Sequence, residues 1–392
     1  MPAADERAVT AAPLSGAALA RAVIAAWDSG DVVIPLDAAA PAAEQRRLLE
    51  RLRPTHVHDT DGRRSMPHGV PAADELAAIV VTSGTTGPPK GVELTRAGMD
   101  VMGRGYSAGI DAGPRDRWLA CLPLHHVASL GALARAYVTG VPWTVHDGFD
   151  LDRVTRAPRE EGATIVSVVP TTLRRLLDAG APVHEYRVVL IGGAPCPVAL
   201  RRRAEAAGVG LVDAYGMTET WGGWALDGIP IEGARCRLAA DGELLVHGKM
   251  VMRGYRLDPA QTKIILGADG WLATGDVAEI VDERVRVVDR KKDLVITGGI
   301  NVSPTEVEGV LSHYPAIADV CIVGAADEEW GERVVAYVVP ADPARPPSLD
   351  ELREFGREQL SAAKLPRELR VVDEIPHSAG GKPLRRLLRG ET

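Results

Sequence analysis

Thr82-Ser83-Gly84-Thr85-Thr86-Gly87-Pro88-Pro89-Lys90-Gly91 concentrates hydroxyl groups, glycine amides and one lysine in a single short stretch. These are the groups that wrap a polyphosphate. Glycine lets the backbone approach the anion, amide N–H groups point at it, and the lysine adds positive charge. The spacing is not that of a Walker A loop. Counting from Gly84, the second required glycine falls on Pro89, and Lys90 is followed by Gly91 where Ser or Thr is needed. A flexible surface loop is the ordinary reading of a short Gly/Thr/Pro string, but the density of phosphate-binding groups here favours a binding loop. The apolar run 76–82 predicts a buried strand leading into it, and the residues after it are read as the start of a helix.

Working outward, further β-branched runs at 118–122, 164–169, 187–191 and 210–213 predict buried strands. Between them, 127–139, 151–161, 170–179 and 198–207 read as helices. Such alternation predicts a layered α/β domain with a largely parallel sheet. The pattern changes after about Arg235. Residues 235–248 and 272–288 alternate apolar and polar around Asp241-Gly242 and Asp282-Glu283, which predicts two hairpins and a small β-rich subdomain. A charged run, Asp289-Arg290-Lys291-Lys292-Asp293, then separates two apolar strands. By charge patterning alone it is a solvated turn. The alternative is a hinge before a separate C-terminal domain with a helix from Pro304, strands at 317–324 and 333–339, a helix from Leu349 and a strand at 369–372. Ser303-Pro304-Thr305-Glu306 and Ser348-Leu349-Asp350-Glu351 both carry the S-x-x-E capping form. The fold expected is therefore α/β. A large N-terminal domain (1–289) of layered α/β subdomains plus a small β-rich subdomain is joined by a hinge to a small α+β C-terminal domain (290–392).

Composition sets limits. The chain has 392 residues, with 45 Lys+Arg against 53 Asp+Glu, a net charge of −8. That argues against a general nucleic-acid binder, which would be basic. The cysteines, Cys121, Cys196, Cys236 and Cys321, form no CxxC pair, so a disulfide framework or zinc site is not expected and a reducing compartment is. No signal peptide and no apolar run long enough to span a membrane is read, so a cytoplasmic location without membrane contact is expected.

The 82–91 loop resembles the phosphate loop of the adenylate-forming superfamily, which contains acyl-CoA synthetases, peptide-synthetase adenylation domains and luciferases. Further motifs similar to those of the superfamily follow in its order: Pro123-Leu124-His125-His126, Gly192-Gly193-Ala194-Pro195, Tyr215-Gly216-Met217-Thr218-Glu219-Thr220, Thr274-Gly275-Asp276, the charged run 289–293 with Gly298-Gly299 downstream, and Pro376-His377-Ser378-Ala379-Gly380-Gly381-Lys382. The resemblance spans 20–389.

It implies roles residue by residue. Thr82, Ser83, Gly84, Thr85, Thr86, Gly87 and Lys90 hold the phosphates of ATP, and His126 lines the acyl pocket. Gly193, Ala194, Pro195, Asp213, Tyr215 and Gly216 meet the nucleotide. Thr218 and Glu219 take part in catalysis, with Glu219 as a hard oxygen ligand suited to Mg²⁺. Asp276 accepts from the ribose hydroxyls and Arg290 donates to the sugar or phosphate. Lys292 is the hinge pivot, and Gly298 and Gly299 border a pantetheine tunnel for CoA. Lys382 neutralises charge as a carboxylate attacks the α-phosphate. Without the resemblance, Lys382 would read as one more cation in a basic segment, and His125-His126 as an ordinary surface or core pair.

About a hundred residues of most superfamily members have no counterpart before residue 82. Short versions of this kind resemble actinobacterial o-succinylbenzoate–CoA ligases of menaquinone biosynthesis. Trp221 and Trp224 stand where a Cys or small residue is expected in that subfamily; two indoles there could reshape the acyl pocket, so the acid is o-succinylbenzoate or, in a paralogue, another bulky or aromatic acid. The compact N-terminus leaves less material around the pocket, which a homodimer would complete. The implied activity joins a small carboxylic acid, ATP and CoA through an acyl-AMP. The alternatives are an adenylation enzyme loading a carrier protein, and a relative that uses or binds adenylate in a single step. Intact Lys382, Glu219 and phosphate loop disfavour the last.

Overall fold

A computed structural model describes residues 6–82, 88–377 and 383–390. Ser83, Gly84, Thr85, Thr86, Gly87 and Lys382 lie outside the described residues. The chain forms two compact units. One comprises Met1–Pro195, Arg203–Arg237 and Leu245–Ala273, the other Cys196–Arg202, Leu238–Leu244 and Thr274–Thr392.

The first unit is layered α/β and contains two seven-stranded sheets. In one, Trp118–Ala120, Ile165–Val168, Val188–Gly192 and Leu211–Tyr215 run parallel to one another. Val188, Val189, Leu190 and Ile191 are all buried, as expected for a strand covered on both faces. The helices between the strands, Val127–Thr139, Leu151–Glu160, Pro170–Asp178 and Val198–Ala206, fall where the apolar spacing predicts them.

The second sheet holds the phosphate-loop strand, Leu76–Thr82. Val32–Leu36 pairs with it in parallel, and Val9–Pro13 and His56–Asp59 follow in turn as further parallel strands that the sequence reading did not identify. The helix expected after the loop is corrected to a strand. Lys90–Thr95 pairs antiparallel with Leu76–Thr82, Thr82 facing Lys90 and Val80 facing Val92. The misleading residue is Glu93, a charge inside an apolar run. It is buried, and its carboxylate meets Arg253 at 2.9 Å and Arg256 at 3.4 Å. A buried carboxylate is tolerated in a strand only with such partners, and these lie some 160 residues away in sequence. Helix begins only at Arg96, where the Thr95 side chain accepts from Gly98 N at 3.0 Å.

Arg235–Leu238, Glu243–His247, Leu272–Val281 and Arg284–Arg290 make a four-stranded sheet in chain order. Its hairpin turns fall at Asp241-Gly242 and Asp282-Glu283. In the C-terminal part of the second unit, Ile317–Asp327 and Gly331–Pro340 form a long hairpin, extended by Val295–Thr297 and, in parallel, by Glu368–Val371. Helices Pro304–Leu311 and Leu349–Gly356 seal a core of Val307, Leu311, Ile322, Val334, Val338 and Leu352. Ser303 accepts from Glu306 N at 3.1 Å, and Ser348 and Glu351 form a reciprocal capping box. The charged run is only partly a solvated turn. Asp289 is buried, accepting from Ser303 Oγ at 2.7 Å and Thr305 N at 2.8 Å, so it fastens the start of helix Pro304–Leu311.

Candidate active site

Parallel strands deliver their following loops to one end of the sheet, which is where open α/β sheets bind ligands. Val168 stands beside Ile191, Ile191 beside Asp213, and Gly192 beside Ala214, so the segments from Gly193 and from Gly216 leave the sheet together. Gly192 has no substitute, because a Cβ there would lie 2.6 Å from the Ala214 carbonyl oxygen. Gly193, Ala194 and Pro195 follow, Gly193 with φ +77°. Tyr215 ends its strand and packs edge-on against Trp224 at 5.4 Å.

The next residues turn tightly. Thr220 is fully buried, and its Oγ1 both accepts from Met217 N and donates to Met217 O, each at 3.1 Å. That lock leaves Thr218 and Glu219 half-buried on a short 3-10 turn. Tyr255 donates to Glu219 Oε1 at 2.8 Å, and Met252 N donates to the Glu219 carbonyl at 2.8 Å. Burial and the Glu219 charge hold the Tyr255 hydroxyl protonated by raising its pKa. The same tyrosine ring lies under Lys90 Nζ, 4.8 Å from the centroid, while Lys90 donates to Gln261 Oε1 at 3.0 Å. Lys90 belongs to the phosphate loop and Glu219 to the Tyr215–Thr220 motif, and Tyr255 touches both. Thr82 faces Lys90 across the hairpin, so the two described flanks of the glycine-rich stretch lie side by side.

Tyr255 and Gln261 were missed in the sequence reading. Gly254-Tyr255 is a two-residue strand paired to Val92 and Glu93, and nothing in so short a string marks it as chemistry. Glu219 retains one carboxylate oxygen that Tyr255 does not use, and Thr218 precedes it on the same turn. A single carboxylate with neighbouring oxygen donors fits Mg²⁺, which keeps several waters and takes its remaining ligands from substrate phosphates. Glu219→Gln should raise the Mg²⁺ concentration needed for half-maximal ATP use about tenfold or more, because an amide oxygen is a weaker ligand for a hard cation; a magnesium titration at saturating ATP checks it.

His126 opens helix Val127–Thr139 through its backbone and contributes no side-chain cap, leaving its ring available. The ring is exposed and tilts against the half-buried His125 ring at 4.3 Å. Desolvation lowers both pKa values, and for His126 the neighbouring imidazole adds to it, so both rings favour the neutral form. Trp221 and Trp224 are fully buried. Trp221 adopts φ +57°, donates Nε1 to Thr95 O at 3.0 Å and abuts Trp27, while Trp224 stacks on Tyr215.

In the second unit, Asp276 and Arg290 face each other across one hairpin, with Arg290 Nε 2.8 Å from Asp276 Oδ1. Asp276 is buried, and its backbone N–H donates to Thr274 Oγ1 at 3.1 Å. Immediately after Arg290, Lys291 Nζ meets Asp241 at 2.6 Å and Glu243 at 2.8 Å, and Asp293 N closes a turn onto Arg290 O across Lys291 and Lys292. Gly298 and Gly299 make the tight turn between Val295–Thr297 and Ile300–Val302, with φ +57° and +78°. A Cβ at Gly298 would strike the Trp330 ring at 2.8 Å, whereas one at Gly299 would meet nothing within 4 Å. Lys382 lies outside the described residues. The chain on either side of it is tied down by an antiparallel bridge between His377 and Pro383, a Leu384 N to Pro376 O bond of 2.8 Å, and an Arg385–Glu308 ion pair at 2.6 Å.

Two family models match: AMP-binding enzyme over residues 57–256, and AMP-binding enzyme C-terminal domain over 306–382. The chain belongs to the AMP-binding enzyme family. It is 37% identical over 321 residues to a probable 2-succinylbenzoate–CoA ligase of Mycobacterium tuberculosis, covering 79% of this chain and 82% of that one. With the 2-succinylbenzoate–CoA ligase of Bacillus licheniformis the identity is 35% over 338 residues, 80% of this chain and 70% of the relative. The o-succinylbenzoate CoA synthetase of Bacillus subtilis, solved with the acyl-adenylate OSB-AMP, superposes with a TM-score of 0.85 at 28% identity, covering 98% of this chain and 89% of that one. The same enzyme has been solved with ATP and a magnesium ion. Among the described residues of this AMP-binding enzyme, no helix is long and apolar enough to cross a membrane.

Proposed function

We propose that the chain is an AMP-forming carboxylate–CoA ligase whose acid is 2-succinylbenzoate or another bulky aromatic acid. In the first half-reaction a carboxylate oxygen attacks the α-phosphorus of ATP and the bond to pyrophosphate breaks. In the second, the CoA sulfur attacks the acyl carbonyl carbon, the thiol proton is released, and AMP leaves with the electron pair of the acyl C–O bond. The observation that carries this reading is the linkage of Lys90 and Glu219 through Tyr255, which brings a cation and a carboxylate together where a nucleotide triphosphate needs both. Bound Mg²⁺ would be held by Glu219 and would offset phosphate charge.

The chain's own groups divide the remaining work. Lys90, oriented by Gln261, meets the phosphates with the 83–87 loop. Asp276, aligned by Arg290, accepts from the ribose hydroxyls. Lys382 offsets charge at the α-phosphate, and Lys292 lets a C-terminal domain, 290–392, change position between half-reactions. Asp276→Ala should raise KM for ATP about tenfold with little loss of fold, since two hydrogen bonds at roughly 0.5–1.5 kcal/mol each are lost. The Arg290 left behind is 40% exposed and can be hydrated. Steady-state kinetics in ATP, with the melting temperature as control, check it. The reading as a whole is tested by pyrophosphate release across a panel of carboxylic acids, with CoA, with an added carrier protein, and with neither. Thioester formation on CoA supports it, and acyl transfer only to the carrier protein replaces it with the carrier-loading alternative.

A further inference from the structure

Arg135, in the middle of helix Val127–Thr139, is 3% exposed. Among the described residues no carboxylate is paired with it. Its side chain makes no hydrogen bond or ion pair with the described residues, and its Nε is buried without an acceptor. It lies instead over the Tyr106 ring, 4.2 Å from the centroid, and near the Trp118 ring at 5.4 Å. Burial lowers the Arg135 pKa, and among the described residues only Tyr106 opposes that shift, itself kept neutral by burial that pushes its pKa up to about 12. Trp118 Nε1 is a second buried donor without an acceptor. Aromatic faces attract a guanidinium but supply no hydrogen-bond acceptors for its five N–H groups. A buried cation left in this state is costly, and the cost is removed when an anion arrives.

The surroundings point to the acyl side of the site. Tyr106, beneath the guanidinium, donates to Ala225 O at 3.3 Å, and its hydroxyl fills the space where a Cβ on Gly223 would stand. Gly223 and Ala225 belong to the segment that directly follows the Tyr215–Thr220 motif. A Cβ on Gly131 would lie 3.6 Å from Arg135 Nη2 and 3.1 Å from Trp221 O, and one on Gly222 would meet Val127. Helix Val127–Thr139 and the 221–225 segment are therefore in contact, with the guanidinium level with residue 131. Side chains on a helix lean towards its N-terminus, here towards His126. Five residues at 1.5 Å of rise put the guanidinium roughly 7.5 Å along the axis from His126. That is a separation an aromatic ring with a short acyl chain bridges.

We propose that Arg135 binds an anionic substituent of the acyl substrate, a second carboxylate that is not activated, and so selects dicarboxylic aromatic acids over monoacids. The proposal rests on the ligase reading above. It identifies what in this fold would compensate the charge that 2-succinylbenzoate keeps when one of its two carboxylates becomes the adenylate.

The test compares 2-succinylbenzoate with two analogues that each lack one carboxyl group, 4-oxo-4-phenylbutanoate and 2-butanoylbenzoate. The analogue that retains the activated carboxyl is the informative one. Pyrophosphate release by the full chain should favour the diacid over it by about 100-fold in kcat/KM, as for a site whose buried polar group is left unpaired by the wrong substrate. Arg135→Met should close that gap by weakening use of the diacid, and Arg135→Lys should reopen it in part. The melting temperature of ligand-free Arg135→Met should be no lower than that of the wild type, because an uncompensated buried cation has been removed. Equal losses on diacid and monoacid, together with a lowered melting temperature, would show that Arg135 only braces Tyr106 and Trp118, and would overturn the proposal. Should Arg135→Met fail to fold, an unchanged diacid preference in Arg135→Lys would also overturn it. Wild-type protein inactive on all three acids would remove 2-succinylbenzoate as the acid and leave the ligase reading to the wider panel. The proposal is then decided by thermal shift: stabilisation by the diacid alone, lost in Arg135→Lys, supports it, and no such stabilisation overturns it.

Discussion

Lys382→Ala is expected to cut acyl-adenylate formation by about 10²-fold or more while leaving thioester formation from preformed acyl-AMP near the wild-type rate. When a carboxylate attacks the α-phosphate, two anionic groups approach one another and negative charge builds on the bridging oxygens. A lysine held at that point acts on the transition state more than on bound substrates, so its removal lowers kcat and not only affinity. In the second half-reaction the α-phosphate is part of the leaving group and the incoming thiol is the new partner, so the same lysine has no comparable role. The anchors around it make the substitution a clean one. The His377–Pro383 bridge, the Leu384–Pro376 hydrogen bond and the Arg385–Glu308 pair involve no Lys382 atom and should survive its truncation. Single-turnover assays, one following acyl-AMP from acid and ATP and the other following thioester from supplied acyl-AMP and CoA, separate the two steps. Equal damage to both would make Lys382 structural.

The motifs are legible in the chain because each is local. Glycine-rich loops, strand-end motifs and helix caps each depend on a few adjacent residues, and Ser303 and Ser348 cap the helices their S-x-x-E strings announce. What escaped reading was held by partners distant in sequence. Glu93 looks out of place in a strand until Arg253 and Arg256 stand beside it. Tyr255 looks like a core aromatic until it meets Glu219 and Lys90. Arg135 is one cation in a run of small apolar residues, and only the folded chain shows its helix buried nearly all round. Trp221 and Trp224 were noticed for their unexpected size, yet only the folded chain shows them enclosed, with Trp224 Nε1 lacking an acceptor.

Lys292→Pro is expected to preserve adenylation while lowering CoA thioesterification at least tenfold, so that acyl-AMP accumulates. One site cannot hold Lys382 at the α-phosphate and admit a thiol to the same carbonyl, so the ligase reading requires a pivot that absorbs a large φ/ψ change at very few residues. Lys292 is the position the motif assigns. Two attachments precede it: Lys291 is paired to Asp241 and Glu243, and Asp289 reaches across the pivot to Ser303 and Thr305, contacts that rotation at Lys292 has to release. Proline there fixes φ near roughly −65° and removes a backbone donor, which confines the pivot to one setting. It also restricts Lys291, the central partner in the turn closed by Asp293 N on Arg290 O, so the constraint falls on two consecutive residues. Lys292→Ala, which keeps backbone freedom, should behave like the wild type. Gly299→Leu offers an independent block, because a side chain at that turn would obstruct the pantetheine path without touching the pivot. No neighbouring atom opposes a Cβ there, but φ of +78° strains leucine. Gly299→Asn, which tolerates that backbone conformation, separates turn strain from obstruction and should retain most of the second step. Wild-type CoA turnover in Lys292→Pro would move the pivot elsewhere. Intact thioester formation in Gly299→Leu would turn the choice of acceptor away from CoA, since a tunnel narrowed by an isobutyl group should not pass pantetheine.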